Sequence, residues 1–155
     1  MRGDGDDDGE VVVEEVDPTG DDAEWCLRRY FAELDQRFST GFDPNAALPT
    51  DASTFLVARL DGRLLGCGAL KASSGEAVEI KRMWVAPEAR GRGVGRVLLE
   101  ALEARATAAG YRLARLDSNG ALSEAIAMYS RNGYVEVPPF NDEPHATHWF
   151  EKQLS

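Results

Sequence analysis

The stretch from Met83 to Arg96, MWVAPEARGRGVGR, constrains this chain more than any other. An apolar strand pattern runs into a loop of glycines and arginines, and the loop opens directly onto a helical pattern. Backbone N–H groups at a helix start are unpaired and lie at the positive end of the helix dipole. Glycines let a phosphate approach that backbone, and arginines add charge-assisted hydrogen bonds. The segment therefore reads as a diphosphate site. A nucleoside-triphosphate loop needs Gly-Lys-Ser/Thr, which the chain lacks. The dinucleotide pattern Gly-x-Gly-x-x-Gly ends on Arg96 counted from Gly91, and on Leu98 counted from Gly93. What fits is Arg-x-x-Gly-x-Gly at Arg90, Gly93 and Gly95. The plain alternative is a tight strand-to-helix turn without a ligand, and the basic residues around it weigh against that.

Charge distribution points the same way. The 155 residues carry a net charge of −10. Residues 1–24 hold eleven acids against Arg2, which by itself accounts for −10. Residues 79–96 are the exception: Lys81, Arg82, Arg90, Arg92 and Arg96 face only Glu79 and Glu88, a local +3. One basic island in an acidic chain suits a small anion. The overall balance argues against nucleic acid or an anionic membrane as partner, since phosphate backbones need a broad basic footprint. Residues 1–9 have nothing to bury and are expected to be a disordered acidic tail, with 10–155 as a single domain. The longest apolar runs fall far short of the ~20 residues a bilayer demands. The acidic N-terminus lacks the pattern of a secretory signal. Cys26 and Cys67 cannot make a disulfide framework or a four-ligand zinc site, so no metal is expected and both read as reduced, partly buried small hydrophobes of a cytoplasmic protein.

A first strand is expected over 11–16, then a helix over 21–38 capped by Asp21 or Asp22, then a long loop over 39–52. Two apolar runs, 54–60 and 63–70, flank Asp61-Gly62, which suits a type I′ hairpin turn. A third strand spans 77–85, where alternation places Glu79, Lys81, Met83 and Val85 on one face. A helix over 93–109 follows, with Val94, Val97, Leu98, Ala101, Leu102 and Ala108 on its apolar stripe. A strand over 112–117, a helix over 121–131 and strands over 134–137 and 148–154 complete the chain.

With these residues in place, the chain resembles the GNAT superfamily of N-acetyltransferases. The Arg90–Gly95 loop is similar to that superfamily's coenzyme A loop. Ala125-Ile126-Ala127-Met128-Tyr129 with Gly133-Tyr134 resembles its Ala-x-x-Leu-Tyr…Gly-Phe motif. Closer in, Arg29-Tyr30-Phe31, Gly41-Phe42-Asp43-Pro44, Pro139-Phe140-Asn141-Asp142 and His148-Trp149-Phe150-Glu151-Lys152 look like a bacterial subgroup found fused to MarR-type regulators. The resemblance implies an α/β GNAT fold, a mixed sheet of about six to seven strands with about four helices. It implies transfer of an acetyl group from acetyl-CoA to an amine of a small molecule, amino acid or peptide; a homodimer is also allowed for. It implies that the backbone of Met83, Trp84 and Val85 pairs with the pantetheine arm, and that the amides of Gly91, Arg92, Gly93, Val94, Gly95 and Arg96 hold the pyrophosphate. Tyr129 matches the tyrosine that protonates the leaving thiolate; packing on a helical stripe is its plain alternative. Where the family often has Asn seven residues before this Tyr, the chain has Leu122, and Asn119 is the substitute on offer. Glu79 and Asp117 are the two candidate bases, Glu79 preferred because its strand carries the thioester at its end. The rival to an enzyme is a non-catalytic acyl-CoA-binding or regulatory module.

Overall fold

The computed structural model describes residues 10–43 and 54–154. The expected tail over 1–9 and most of the expected loop (44–52) lie outside the described residues. Seven strands form one sheet: β1 (Val11–Glu15), β2 (Thr54–Leu60), β3 (Arg63–Ala72), β4 (Ala77–Val85), β5 (Leu113–Ser118), β6 (Val135–Val137) and β7 (His148–Gln153), in the spatial order β1-β2-β3-β4-β5-β7-β6. Three α-helices, α1 (Asp21–Arg37), α2 (Val94–Ala108) and α3 (Ser123–Arg131), and a 3-10 turn at Pro87–Ala89 connect them. All neighbouring strands are antiparallel except β4 and β5.

Local chemistry explains most of this. Asp61 and Gly62 both take positive φ, 54° and 80°, as the hairpin between β2 and β3 requires. α1 starts differently from expectation: its N-cap is Gly20, with no side-chain cap. Asp22 is instead paired with Arg59 of β2 at 2.8 Å, while Asp21, Asp22 and Glu24 sit in the first turn against the helix dipole. α3 begins two residues later than the pattern suggested. The Asn119 carboxamide oxygen accepts the Ala121 N–H at 2.8 Å, and the Asn119 carbonyl accepts from Leu122, so this stretch forms a turn before the helix. On α2 the buried residues include Leu99 and Ala106, in place of Val97 and Ala108.

α1 and α2 cover opposite faces of the sheet. A side chain on Gly68 would meet Leu102 of α2, whereas neighbouring Cys67 faces Cys26 of α1. Both cysteines are free, and they are fully buried where partial burial was expected.

Two irregularities in β4 matter for function. The first is a bulge: Ala69 pairs with Lys81 but Cys67 pairs with Trp84, so β4 carries one extra residue there. Arg82, inside the bulge, has φ 57°. The insertion flips every later side chain. Glu79 and Lys81 therefore share their face with Trp84, and the expected common face of Glu79, Lys81, Met83 and Val85 does not form. The second is a separation: β4 pairs with β5 only over Ala77, Val78 and Glu79, opposite Leu113, Ala114 and Arg115. Beyond that point the two parallel strands part.

Candidate functional site

A cavity of about 380 Å³ opens where β4 leaves β5. Met83, Trp84 and Val85 form one wall, and Ala125, Met128 and Tyr129 of α3 form the other. Its mouth is the loop leading to α2, through Arg90, Gly91, Gly93, Val94, Gly95 and Arg96. Gly91 and Gly93 hold φ of 81° and 83°, and a Cβ on either would project into open space. Gly95 is the reverse case: a Cβ there would lie 2.4 Å from Met128 Sδ. Gly93 is the N-cap of α2, and no side chain caps that end. An amide-lined cradle with open space above it, at the positive end of a 15-residue helix, fits a diphosphate.

The arginines divide their work. Arg96 lines the cavity at its rim, with an exposed partner, Glu100, at 3.2 Å. Arg90 lines the cavity too, but its guanidinium is engaged by acids of the wall: its Nη2 donates to Glu33 Oε2 of α1 at 2.5 Å, and Nη1 lies 3.7 Å from Glu124 of α3. Arg92 is not among the lining residues. Glu33 also accepts from Trp84 Nε1 at 3.1 Å and from Arg37 at 3.1 Å. Burial opposes ionisation of Glu33, but hydrogen bonds from Arg90, Trp84 and Arg37 outweigh it and hold the carboxyl below its ordinary range. Arg37 in turn donates to Glu124 at 2.8 Å and to the Ala121 carbonyl at 2.7 Å. This cluster ties α1, the loop and α3 together across the cavity mouth, so Arg90 positions the loop.

Hydrogen bonding from Arg37 depresses the Glu124 carboxyl to about 2. A depressed carboxylate contributes stability above its unfolded value and loses it as pH falls through the folded one. Glu124 is 40 % exposed, so solvent screening holds the pair to ~0.5–1 kcal/mol. Glu124→Gln is therefore expected to lower Tm by about 2 °C at pH 7. The gap from wild type should close between about pH 4.5 and pH 2, as thermal unfolding at a series of pH values would show.

A second, smaller cavity of about 90 Å³ adjoins the first. Tyr30, Leu34, Met83, Leu122, Ala125 and Tyr129 line both. Tyr129 is 4 % exposed, with its ring against Tyr134 and Phe150 at 6.0 and 6.2 Å. Burial pushes its hydroxyl well above the usual tyrosine range, and the same holds for Tyr30. Both are neutral at physiological pH. Tyr129 thus packs in the core and also faces both cavities.

The two candidate carboxylates are placed differently. Asp117 lines the smaller cavity; Glu79 lines neither and is 8 % exposed. Asn141 joins them, its Nδ2 donating to Glu79 Oε2 at 3.0 Å and to Asp117 Oδ2 at 2.9 Å. Its Oδ1 accepts from Trp149 Nε1 at 2.9 Å. Lys81 Nζ stands 3.6 Å from Asp117 Oδ2. Among the described residues nothing hydrogen-bonds Asp117 Oδ1. The expected substitute Asn119 lines neither cavity; its Nδ2 donates to the His145 carbonyl at 2.6 Å, and Leu122 faces the cavities instead. Tyr30 and Asn141 stand within segments that resemble the bacterial subgroup, and the sequence gives neither a role, because a bridging amide and a helix-stripe tyrosine acquire these positions only through tertiary contacts.

Over residues 51–136 the sequence matches the family described as acetyltransferase (GNAT) domain. It is also 37% identical over 115 residues to an IAA acetyltransferase of Azospirillum brasilense, covering 74% of this chain and 75% of that protein. The chain belongs to the GNAT acetyltransferase family. Solved structures share the fold. A GNAT-family acetyltransferase from Staphylococcus aureus Mu50 superposes with TM-score 0.79 at 15% identity, over 94% of this chain and 100% of that one. PaiA N-acetyltransferase from Thermoplasma acidophilum, solved in complex with coenzyme A, gives 0.69 at 18% identity over 93% and 99%. The GNAT fold expected from the order of motifs is present, with three α-helices among the described residues against about four expected for the whole chain. The GNAT N-acetyltransferases use acetyl-CoA and act on amine acceptors. Among the described residues no helix is long and apolar enough to cross a membrane.

Proposed function

We propose that residues 10–155 act as one acetyltransferase domain that transfers acetyl from acetyl-CoA directly to a primary amine of a small molecule, amino acid or peptide. The observation that carries this reading is the position of Tyr129, on the wall common to the two cavities, with the glycine cradle at one end and Asp117 at the other. Acetyl-CoA, when bound, supplies a thioester carbonyl. Amides of residues 91–96 and the Arg96 side chain hold its pyrophosphate. The edge of β4 freed from β5 offers Met83, Trp84 and Val85 to the pantetheine arm as a partner strand, and a backbone N–H near Val85 faces the carbonyl oxygen. Asp117 takes the proton from the attacking ammonium, directly or through water, through its uncommitted Oδ1. Glu79 holds Asn141, and through it Asp117, in place. Tyr129 donates to the departing sulfur. A hydroxyl held above its ordinary range cannot fully protonate a thiolate whose thiol titrates near ~8.5, so its contribution is a strengthening hydrogen bond as the C–S bond breaks.

The segments resembling the MarR-fused bacterial subgroup support membership in it, and Phe42 of one of them lines the smaller cavity. A cytoplasmic setting fits the acidic composition. IAA belongs in the acceptor screen because of the relative's name.

The test is thiol release from acetyl-CoA across pH, with an amine of known pKa. Release that depends on the amine is expected; binding of coenzyme A without any release would leave the non-catalytic module as the answer. Asp117→Asn is expected to lose ~10²-fold in kcat/KM near neutral pH and to recover where the amine is already deprotonated. Glu79→Gln should lose less, with no such recovery. The opposite pattern would move the base to Glu79.

A further inference from the structure

The smaller cavity contains a cation that the reaction above does not use. Arg82 lines it from the bulge of β4. Its guanidinium stacks over the Phe31 ring at 5.1 Å. Among the described residues, that guanidinium makes no ion pair and donates no hydrogen bond. At φ 57° this non-glycine residue holds strained, left-handed backbone. A strained backbone that keeps a cation without an acid partner at the wall of a cavity calls for an anion in the ligand.

The other lining groups narrow the class. Asp117 and Glu143 are the cavity's acids, and Lys81 and Arg82 its bases. Lys81 is already committed to Asp117. Among the described residues the lining is thus formally neutral, which suits a zwitterion. A polyamine would bring only cations. The cavity's remaining wall is mostly apolar and includes an aromatic patch, where His145 stacks on Phe38 at 5.4 Å and meets Phe42 at 5.0 Å.

We infer that the acceptor is a free α-amino acid with an apolar or aromatic side chain, its carboxylate on Arg82, its amine at Asp117, and its side chain against Phe38, Phe42 and His145. This rests on the acetyl-transfer reading above and names the substrate of that site. Arginine meets a carboxylate with two parallel N–H···O bonds, so the contact also orients the amine. The amino nitrogen forms the new amide bond to the acetyl carbon as the C–S bond breaks. Of the ammonium's three protons, one leaves to Asp117 to free the attacking lone pair, a second passes to the departing sulfur as the C–S bond breaks, so that coenzyme A leaves as the thiol, and the third stays on the amide nitrogen.

The experiment compares kcat/KM at saturating acetyl-CoA for L-phenylalanine, L-phenylalaninamide, phenethylamine and spermidine, each expressed per unit of unprotonated amine. L-Phenylalanine is expected to exceed the two carboxylate-free aryl amines by at least about tenfold, the usual effect of a charge-assisted contact. Arg82→Gln should bring that ratio to within about twofold, and Arg82→Lys should restore part of it. The wild-type comparison decides even if the variants fail to fold. Equal rates for L-phenylalanine and its amide would overturn the inference while leaving acetyl transfer standing. A preference for spermidine would overturn it in favour of a polycation. No acetylation of any of the four, with coenzyme A still bound in titration, would overturn it as well. Failure to bind coenzyme A would instead bring down the acetyl-transfer reading.

Discussion

Gly93→Asp is expected to weaken coenzyme A binding by at least about a hundredfold while the folded protein loses little stability. Asp is one of the few residues that tolerates the left-handed region, and a Cβ at Gly93 meets no atom within 4 Å. An aspartate at this N-cap also sits well with the uncapped start of α2, which offsets part of the backbone strain. The same carboxylate stands where the pyrophosphate belongs. Two like charges about 4 Å apart near a protein surface repel by ~4 kcal/mol, roughly a thousandfold in affinity, and rearrangement reduces this. Calorimetric titration of coenzyme A, beside a melting curve of the apo protein, reads both effects. An unchanged Kd would remove the loop from the donor site.

What the sequence made legible was local. The Asp61-Gly62 turn follows from the φ values that only certain residues accept, and the start of α2 follows from the glycines and arginines before it. The order of strands and helices followed from hydrophobic periodicity, with boundaries off by a residue or two. The misplaced pieces share a cause, in that each depends on residues distant in the chain. The bulge at Arg82 has no glycine to announce it, yet it reverses the faces of β4 and removes Glu79 from the side of Met83. Arg90, read as a phosphate ligand, does line the cavity, but the sequence hides its partner Glu33, which lies 57 residues earlier on α1. Asn119 looked like a spare carboxamide near a site, but the His145 carbonyl and the Ala121 amide had taken both its ends. Asp117 and Glu79 were both visible as carboxylates; only Asn141 between them, and the cavity beside one of them, distinguishes their surroundings.

Tyr129→Phe carries the second large effect. The substitution keeps the ring contacts with Tyr134 and Phe150 and deletes a hydroxyl that has no hydrogen-bond partner among the described residues. No buried group is stranded by the change, so Tm should stay within about 2 °C of wild type. The lost contact is one made to developing charge on sulfur, typically ~1.5–3 kcal/mol, or roughly 10–150-fold in rate. Because that contact forms only as the thioester breaks, affinity for acetyl-CoA should hardly move while the chemical step slows. Steady-state turnover can be masked by product release, so the decisive measurement is a single-turnover rate, with enzyme in excess over acetyl-CoA and acceptor saturating. A tenfold or greater loss in Tyr129→Phe, with acetyl-CoA binding and Tm retained, is the predicted result. A single-turnover rate within twofold of wild type would contradict the account and leave Tyr129 as a core residue that happens to face both cavities.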